Sequence, residues 1–221
     1  MFKYNVNDAD IQVYMRSSVK RYDIINYLIS KYNLVNYLEI GVFNGETIKK
    51  IIAKHKDGVD PGVEGSLVPE VNYPITSDEF FNLIKGKNIQ YDIIFIDGLH
   101  HSEQVFKDMI NSWENLKDGG FIVLHDCNPL NFEMQKVPRE TVAWNGDVWK
   151  ALVNFKRFNK DIMCYTVDTD WGVGVIKKDN NIEPHFNVTS LAFGTWDYEY
   201  FSKNRKSLLG LISYEEFTNI F

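Results

Sequence analysis

The chain has 221 residues, enough for one α/β domain with a buried core, and its 44% hydrophobic and 24% charged residues are usual for a globular protein. A formal net charge of −6 argues against a nucleic-acid partner, which needs a basic face. Its two cysteines, Cys127 and Cys164, form no C-x-x-C pair and give no disulfide framework; with no signal-peptide pattern and no membrane-spanning apolar run, the expected setting is cytoplasmic.

In chain order, residues 1–33 are expected to form an N-terminal helical extension, because Val19, Tyr22, Ile25, Leu28 and Ile29 recur at helical spacing. Val35 to Ile40 has the pattern of a buried strand. Gly41 ends it, and Glu46 to His55 resumes helical periodicity through Ile48, Ile51 and Ile52. Gly58 to Asp60 is a candidate second strand and Val71 to Ile75 a third. The run Thr76-Ser77-Asp78-Glu79 carries the capping-box pattern of a helix reaching Ile84.

Tyr91 to Asp97 is the strongest strand, apolar nearly throughout, as expected where helices cover both faces. Gln104 to Leu116 is helical, Gly119 and Gly120 make a turn, and Phe121 to Asp126 is the next strand. Asp147 to Phe158 is a further helix, and Ile162 to Val167 with Gly172 to Lys177 supplies two more strands. This alternation predicts an α/β fold: a Rossmann-like, doubly wound, mostly parallel seven-stranded sheet with helices on both faces. One domain over residues 1–221 is expected. Its appendage at 186–221 would pack on the domain or on a second copy of the chain, so that a homodimer is an open partner expectation.

Ligands of such sheets bind beyond the carboxyl ends of the strands, and here those ends carry Glu39, Asp60, Ser77, Asp97, and His125 with Asp126. The first turn, Glu39-Ile40-Gly41-Val42-Phe43-Asn44-Gly45, is not the G-x-G-x-x-G of a pyrophosphate cradle, which counts against a NAD-dependent oxidoreductase. An acidic residue in the cradle suits a cationic ligand group. Asp60, at the end of the second strand, can accept hydrogen bonds from ribose hydroxyls. Together these fit an adenosine ligand bearing an ammonium group.

With E-x-G-x-x-x-G at Glu39 to Gly45 and an acidic residue ending the second strand, the chain resembles the class I S-adenosylmethionine (SAM)-dependent methyltransferases. The stretch FIDGLHHSEQVFKDMINSWENLKDGGFIVLHDC resembles a bacterial branch with I-D-G-x-H and G-G-x-x-x-x-H-D motifs. Relatives in that branch include sugar O-methyltransferases of antibiotic and cell-surface (capsular) polysaccharide pathways. VPRETVAWNGDVWK and VDTDWGVGVI resemble the same branch, so the likeness runs from Leu38 to Ile176. It implies SAM as cofactor, held by Glu39, Gly41, Gly45, Asp60, Ser77, Asp78 and Asp97. It implies methyl transfer to a hydroxyl of a small-molecule substrate, a sugar or nucleotide-linked sugar.

Methylating an alcohol requires a base within hydrogen-bond reach of its proton, and His100, His125 and Asp97 are the catalytic candidates. A bound divalent cation could instead acidify the alcohol. The resemblance to metal-dependent relatives places a magnesium or manganese ion at Asp97 and Asp126, with His125 where those relatives carry an acid. That alternative is a divalent-metal-dependent O-methyltransferase of a phenolic or other natural-product hydroxyl. A binding module that has lost catalysis is a third class, opposed by the clustered Asp and His residues.

On the substrate side, Arg139, with Lys136, could meet a phosphate or carboxylate, and Trp144 could stack on a sugar ring. Trp149, at a helical position, is expected in the core. Cys127 is expected as a small packed residue, and Asp168 and Asp170 as turn caps or hydroxyl ligands.

Overall fold

The computed structural model describes residues 18–63, 65, 67–179, 181–186 and 197–221. The first element, α1 (Arg21–Tyr32), starts where the Asp23 carboxylate accepts the Lys20 N–H at 2.9 Å and stops at Asn33 in the left-handed conformation, φ 53°. It is followed by β1 (Asn36–Ile40), β2 (His55–Val59), α2 (Ser77–Ile84), β3 (Tyr91–Ile96), α3 (Ser102–Glu114) and β4 (Leu116–Leu124). After a 3-10 turn at Glu133–Gln135 come α4 (Val148–Phe158), β5 (Cys164–Val167), β6 (Val173–Lys177), α5 (Tyr198–Leu209), β7 (Leu211–Ile212) and α6 (Tyr214–Ile220). None of the described helices is long and apolar enough to cross a membrane.

The seven strands form one sheet in the order β2-β1-β3-β4-β6-β5-β7, parallel except for β6, which runs antiparallel to both β4 and β5. The doubly wound, mostly parallel sheet expected from the sequence is therefore present, but its membership differs at both edges. Val71 to Ile75 contributes only a single bridge, Tyr73 to Val59, whereas the seventh strand is Leu211–Ile212, pairing with β5 from the C-terminal segment.

Alternation along the central strands sorts the side chains onto two faces. Leu38, Ile94, Ile96, Ile122 and Leu124 face α2, α3, α4 and α5. Tyr37, Ile93, Phe95, Phe121 and Val123 face α1 and α6. The C-terminal elements are built into both layers: Phe201 stacks on Trp149 at 4.1 Å between ring centroids, and the buried Phe221 packs 5.2 Å from Phe217 and 6.0 Å from Phe121. Tyr27 donates to the Thr218 carbonyl at 2.8 Å, and Tyr32 to the carbonyl of Phe221.

Two local expectations are corrected. Glu46 to His55 is a series of turns rather than a helix, and β2 starts at His55. Its peptide groups find partners elsewhere: Asn26 donates to Lys50 O at 2.9 Å and accepts from Ile52 N at 3.0 Å, while Lys56 Nζ donates to Ile48 O and Ile51 O at 2.8 and 3.2 Å. With side chains supplying those bonds, the segment needs no i→i−4 ladder. Gly119 and Gly120 lie within β4, where the register against β3 jumps from Tyr91–Leu116 to Ile93–Phe121, so the glycines sit in an irregularity inside a strand rather than ahead of one.

Candidate active site

The carboxyl ends of β1, β3 and β4 lie side by side, and the backbone pairing runs one step past each strand: Gly41 N donates to Val59 O (2.9 Å), Asp97 N to Ile40 O (2.8 Å) and His125 N to Ile96 O (3.1 Å). Gly41 has φ +87°, and a Cβ there would lie 2.1 Å from the Asp97 carbonyl oxygen. The first turn and the Asp97 turn thus touch backbone to backbone, which only glycine permits.

Four titratable side chains from the β3 and β4 ends form a tight group. His125 Nδ1 lies 3.2 Å from both Asp97 Oδ1 and Asp126 Oδ2, and His100 Nε2 lies 3.5 Å from the same two oxygens. On its other side, His125 Nε2 is 3.5 Å from Asp170 Oδ2. Neither His125 nitrogen is aligned for a hydrogen bond, so the attraction is between charges. Burial would push the His125 imidazolium down, but the Asp126 and Asp97 carboxylates outweigh it and hold it well above the ordinary histidine range. Burial likewise opposes ionisation of Asp97, and His125 and His100 reverse that, keeping it far below the ordinary carboxylate range. His125 is therefore buried among carboxylates that favour its charged form. His100 is the more open of the two, with 18% of its side chain exposed.

Sequence reasoning missed Arg21. Its backbone N–H donates to Asp170 Oδ2 at 2.9 Å, its Nη1 to the same oxygen at 3.1 Å and its Nε to Thr47 Oγ1 at 2.8 Å, while Nε stands 3.8 Å from Asp97 Oδ2. No motif marks Arg21; the only signal is a cation at the start of a helix whose apolar stripe faces the sheet. Asp170, weighed as a turn cap, joins the cluster at φ 45° and is held well below the ordinary carboxylate range by His125 and Arg21, against the opposing effect of burial. Asp126 is also in the left-handed region, at φ 58°. Such backbone outliers concentrate at functional sites.

The residues expected to cradle the cofactor line the neighbouring ends. Asp60 accepts from Phe43 N at 2.8 Å and Gly62 N at 2.7 Å, tying the glycine turn to the end of β2. Gly45, at φ +76°, closes that turn. Glu39 is 1% exposed, accepts from the Tyr37 hydroxyl, and is pushed up to about 8 by burial. It sits beneath the turn as a neutral acid. Ser77 and Asp78 open α2 and engage α3: Gln104 Nε2 lies 3.2 Å from each of Ser77 Oγ and Asp78 Oδ1, and Lys107 pairs with Asp78.

On the substrate side, the Arg139 guanidinium donates to the carbonyls of Thr141 (3.0 Å) and Val142 (2.8 Å) and lies 5.5 Å from the Trp144 ring centroid, while Lys136 pairs with Glu140. The Trp144 ring stacks on His100, 5.0 Å between centroids. Trp149 and Cys127 are both fully buried, as expected for packed residues. Burial pushes the Cys127 thiol up, away from nucleophilic use. Among the described residues, Asp97, His100 and Asp126 offer one donor atom each within 4.8 Å of one another, so His100 joins the expected metal pair. Two clefts of about 590 and 580 Å³ lie elsewhere, between α4 and α5 and between α2 and α3.

Residues 66–127, the stretch that carries Asp97, His100, His125 and Asp126, match the family model of a methyltransferase domain. A search among curated proteins found no match to the chain. Among solved structures, the O-methyltransferase TomG from Streptomyces achromogenes, involved in tomaymycin synthesis and seen with SAM, is similar at 11% identity and TM-score 0.52, over 81% of this chain and 92% of its own. Cofactor-bound Rv0187 from MTB is similar at 12% identity and TM-score 0.52, over 79% of this chain and 92% of its own. The likeness is one of fold: this is the doubly wound sheet on which class I methyltransferases are built.

Proposed function

We propose that the chain is a SAM-dependent O-methyltransferase acting on a small-molecule hydroxyl, with a divalent cation held by Asp97, His100 and Asp126. The observation that carries this reading is the convergence of those three donors beside the glycine turn, within a stretch matching a methyltransferase domain. SAM, when bound, supplies a methyl group on a sulfonium centre. The glycine turn, Asp60 and the Ser77–Asp78 helix start are assigned to its binding, although Glu39, being neutral, leaves Asp97 as the ionised carboxylate against the turn. A divalent ion at the three donors would acidify and orient the acceptor hydroxyl.

The donors fit such an ion. Asn145 bonds Asp126 Oδ1 at 2.7 Å, which leaves Oδ2 turned toward His125 and His100. Two carboxylates with one imidazole suit manganese or a comparably soft ion better than magnesium, which prefers oxygen alone. His125 and Arg21 offset the negative charge of Asp97, Asp126 and Asp170, which favours the ionised form of Asp97 and Asp170 in a buried setting.

This donor group favours an acceptor whose hydroxyl is activated by a cation, such as a phenol or another natural-product hydroxyl. A sugar hydroxyl is the second reading; the I-D-G-x-H resemblance supports it, and it would use His100 as base. The test is calorimetry with S-adenosylhomocysteine followed by labelled-SAM assays on phenolic and nucleotide-sugar acceptors, with EDTA and then Mn²⁺. Binding of S-adenosylhomocysteine and an EDTA-sensitive, Mn²⁺-restored transfer are expected. Transfer indifferent to chelation would remove the metal from the reading; no binding of S-adenosylhomocysteine would remove the methyltransferase.

A further inference from the structure

His100 and Asp126 come from different strand ends and meet at 3.5 Å, Nε2 to Oδ2. The segment Trp144-Asn145-Gly146-Asp147, just before α4, touches both. The Trp144 ring lies on the His100 imidazole, 24° from parallel, and its indole N–H is tied to Lys136 O at 2.6 Å. Asn145 is fully buried; its Nδ2 donates to Asp126 Oδ1, while its backbone N–H and that of Gly146 both reach Met134 O at 2.9 and 3.1 Å. Gly146, at φ +61°, packs so closely on His100 that a Cβ would lie 1.9 Å from the His100 carbonyl oxygen. Asp147 N donates to that same carbonyl at 3.2 Å, and the Asp147 carboxylate accepts from Ser102 N at 2.6 Å and Ser102 Oγ at 3.0 Å, holding the start of α3 directly after His101.

We infer that these four residues act as a clamp in which Trp144 and Asn145 are positioning residues. Trp144 fixes the plane of the His100 ring, and Asn145 selects which Asp126 oxygen faces it. The clamp rests on the proposed function for its purpose, but its geometry does not depend on any ligand. It also gives Trp144 a task other than stacking on substrate: one face of the indole is already occupied by His100. Without the clamp, the His100 ring and the Asp126 carboxylate keep only their ion pairs with each other, with Asp97 and with His125, and rotation of either side chain spreads the three donors apart. Second-sphere contacts of this kind orient ligands and change metal affinity by about 10–100-fold when lost.

The full-length chain is tested as Asn145→Ala, Trp144→Ala and Trp144→Phe, with two readouts that need no turnover. Mn²⁺ affinity, measured by calorimetry, is expected to fall about 10–100-fold in the two alanine variants and to return to within a few-fold of wild type in Trp144→Phe, whose ring can still stack. The His100 imidazole resonance is expected to be single in the wild type and in Trp144→Phe, and broadened or split in Trp144→Ala and Asn145→Ala. Unchanged affinity for S-adenosylhomocysteine shows that each variant is folded. A wild type that binds S-adenosylhomocysteine but no Mn²⁺ removes the metal alone, and the clamp is then judged on the resonance. If both alanine variants keep a single His100 resonance and wild-type Mn²⁺ affinity, the clamp is refuted and the proposed function is untouched.

Discussion

Replacing Glu39 by Gln tests whether an acid in the wall of the cradle is neutral. Its carboxyl is pushed up from 4.5 to about 8 by burial beneath the first turn. The folded chain therefore holds a proton that the unfolded chain releases near pH 4.5. Because the folded value is the higher one, stability is greatest below the unfolded value and declines as pH rises toward about 8. At 1.36 kcal/mol per pH unit, this cost is under about 1 kcal/mol at pH 5 and about 3 kcal/mol at pH 7. Gln has no such proton to lose, and its carbonyl and amino group reproduce the acceptor and donor of the neutral acid toward Tyr37 and Ile48.

Glu39→Gln should therefore lie within about 1 kcal/mol of wild type at pH 5 and be about 2–3 kcal/mol more stable at pH 7. Urea unfolding of both proteins at each pH, with equal m-values, measures the difference. The other titrating groups cancel in that comparison. A difference constant to within about 0.5 kcal/mol across the range would show that Glu39 is ionised in the folded chain, and the reasoning about the cradle would fail.

Gly41→Ala places a methyl 2.1 Å from Asp97 O at φ +87°; a loss of about 3 kcal/mol or more is expected, together with loss of S-adenosylhomocysteine binding. A wild-type urea midpoint would refute the close approach of the two turns. Phe221→Ala empties a buried site lined by Phe121, Tyr165 and Phe217, and should cost about 3–5 kcal/mol, read as a lowered thermal midpoint. A change below about 1 kcal/mol would mean that the C-terminal helix does not cover the sheet in solution.

What could be read from sequence was local. The strands that end in Asp97 and in the His125–Asp126 pair announce themselves by apolar runs cut short by polar residues, and Thr76 to Glu79 writes out its own helix cap. Glu46 to His55 shows the limit of periodicity: Ile48 and Ile51 are buried as their spacing implies, yet the peptide bonding is settled by Asn26 and Lys56 from neighbouring elements. Arg21 and Asp170 were invisible as a pair because their contact spans 149 residues of chain. Trp144 was legible as an aromatic near the site, whereas its partner, His100, depends on how the loop after β4 returns. Leu211–Ile212 is too short to stand out as a strand until β5 offers it an edge.

The contact between Arg21 and Asp170 also couples the cluster to the outermost layer of the molecule. Two hydrogen bonds, one of them also an ion pair, join the first turn of α1 to the carboxylate that faces His125. Detaching α1 exposes its apolar stripe and, in the same step, removes a cation from among three carboxylates. Opening of that helix thus leaves the cluster short of one positive charge. A cation bound at Asp97, His100 and Asp126 and amide exchange in α1 are therefore linked through the shared carboxylates, although the ion and most of that helix never meet.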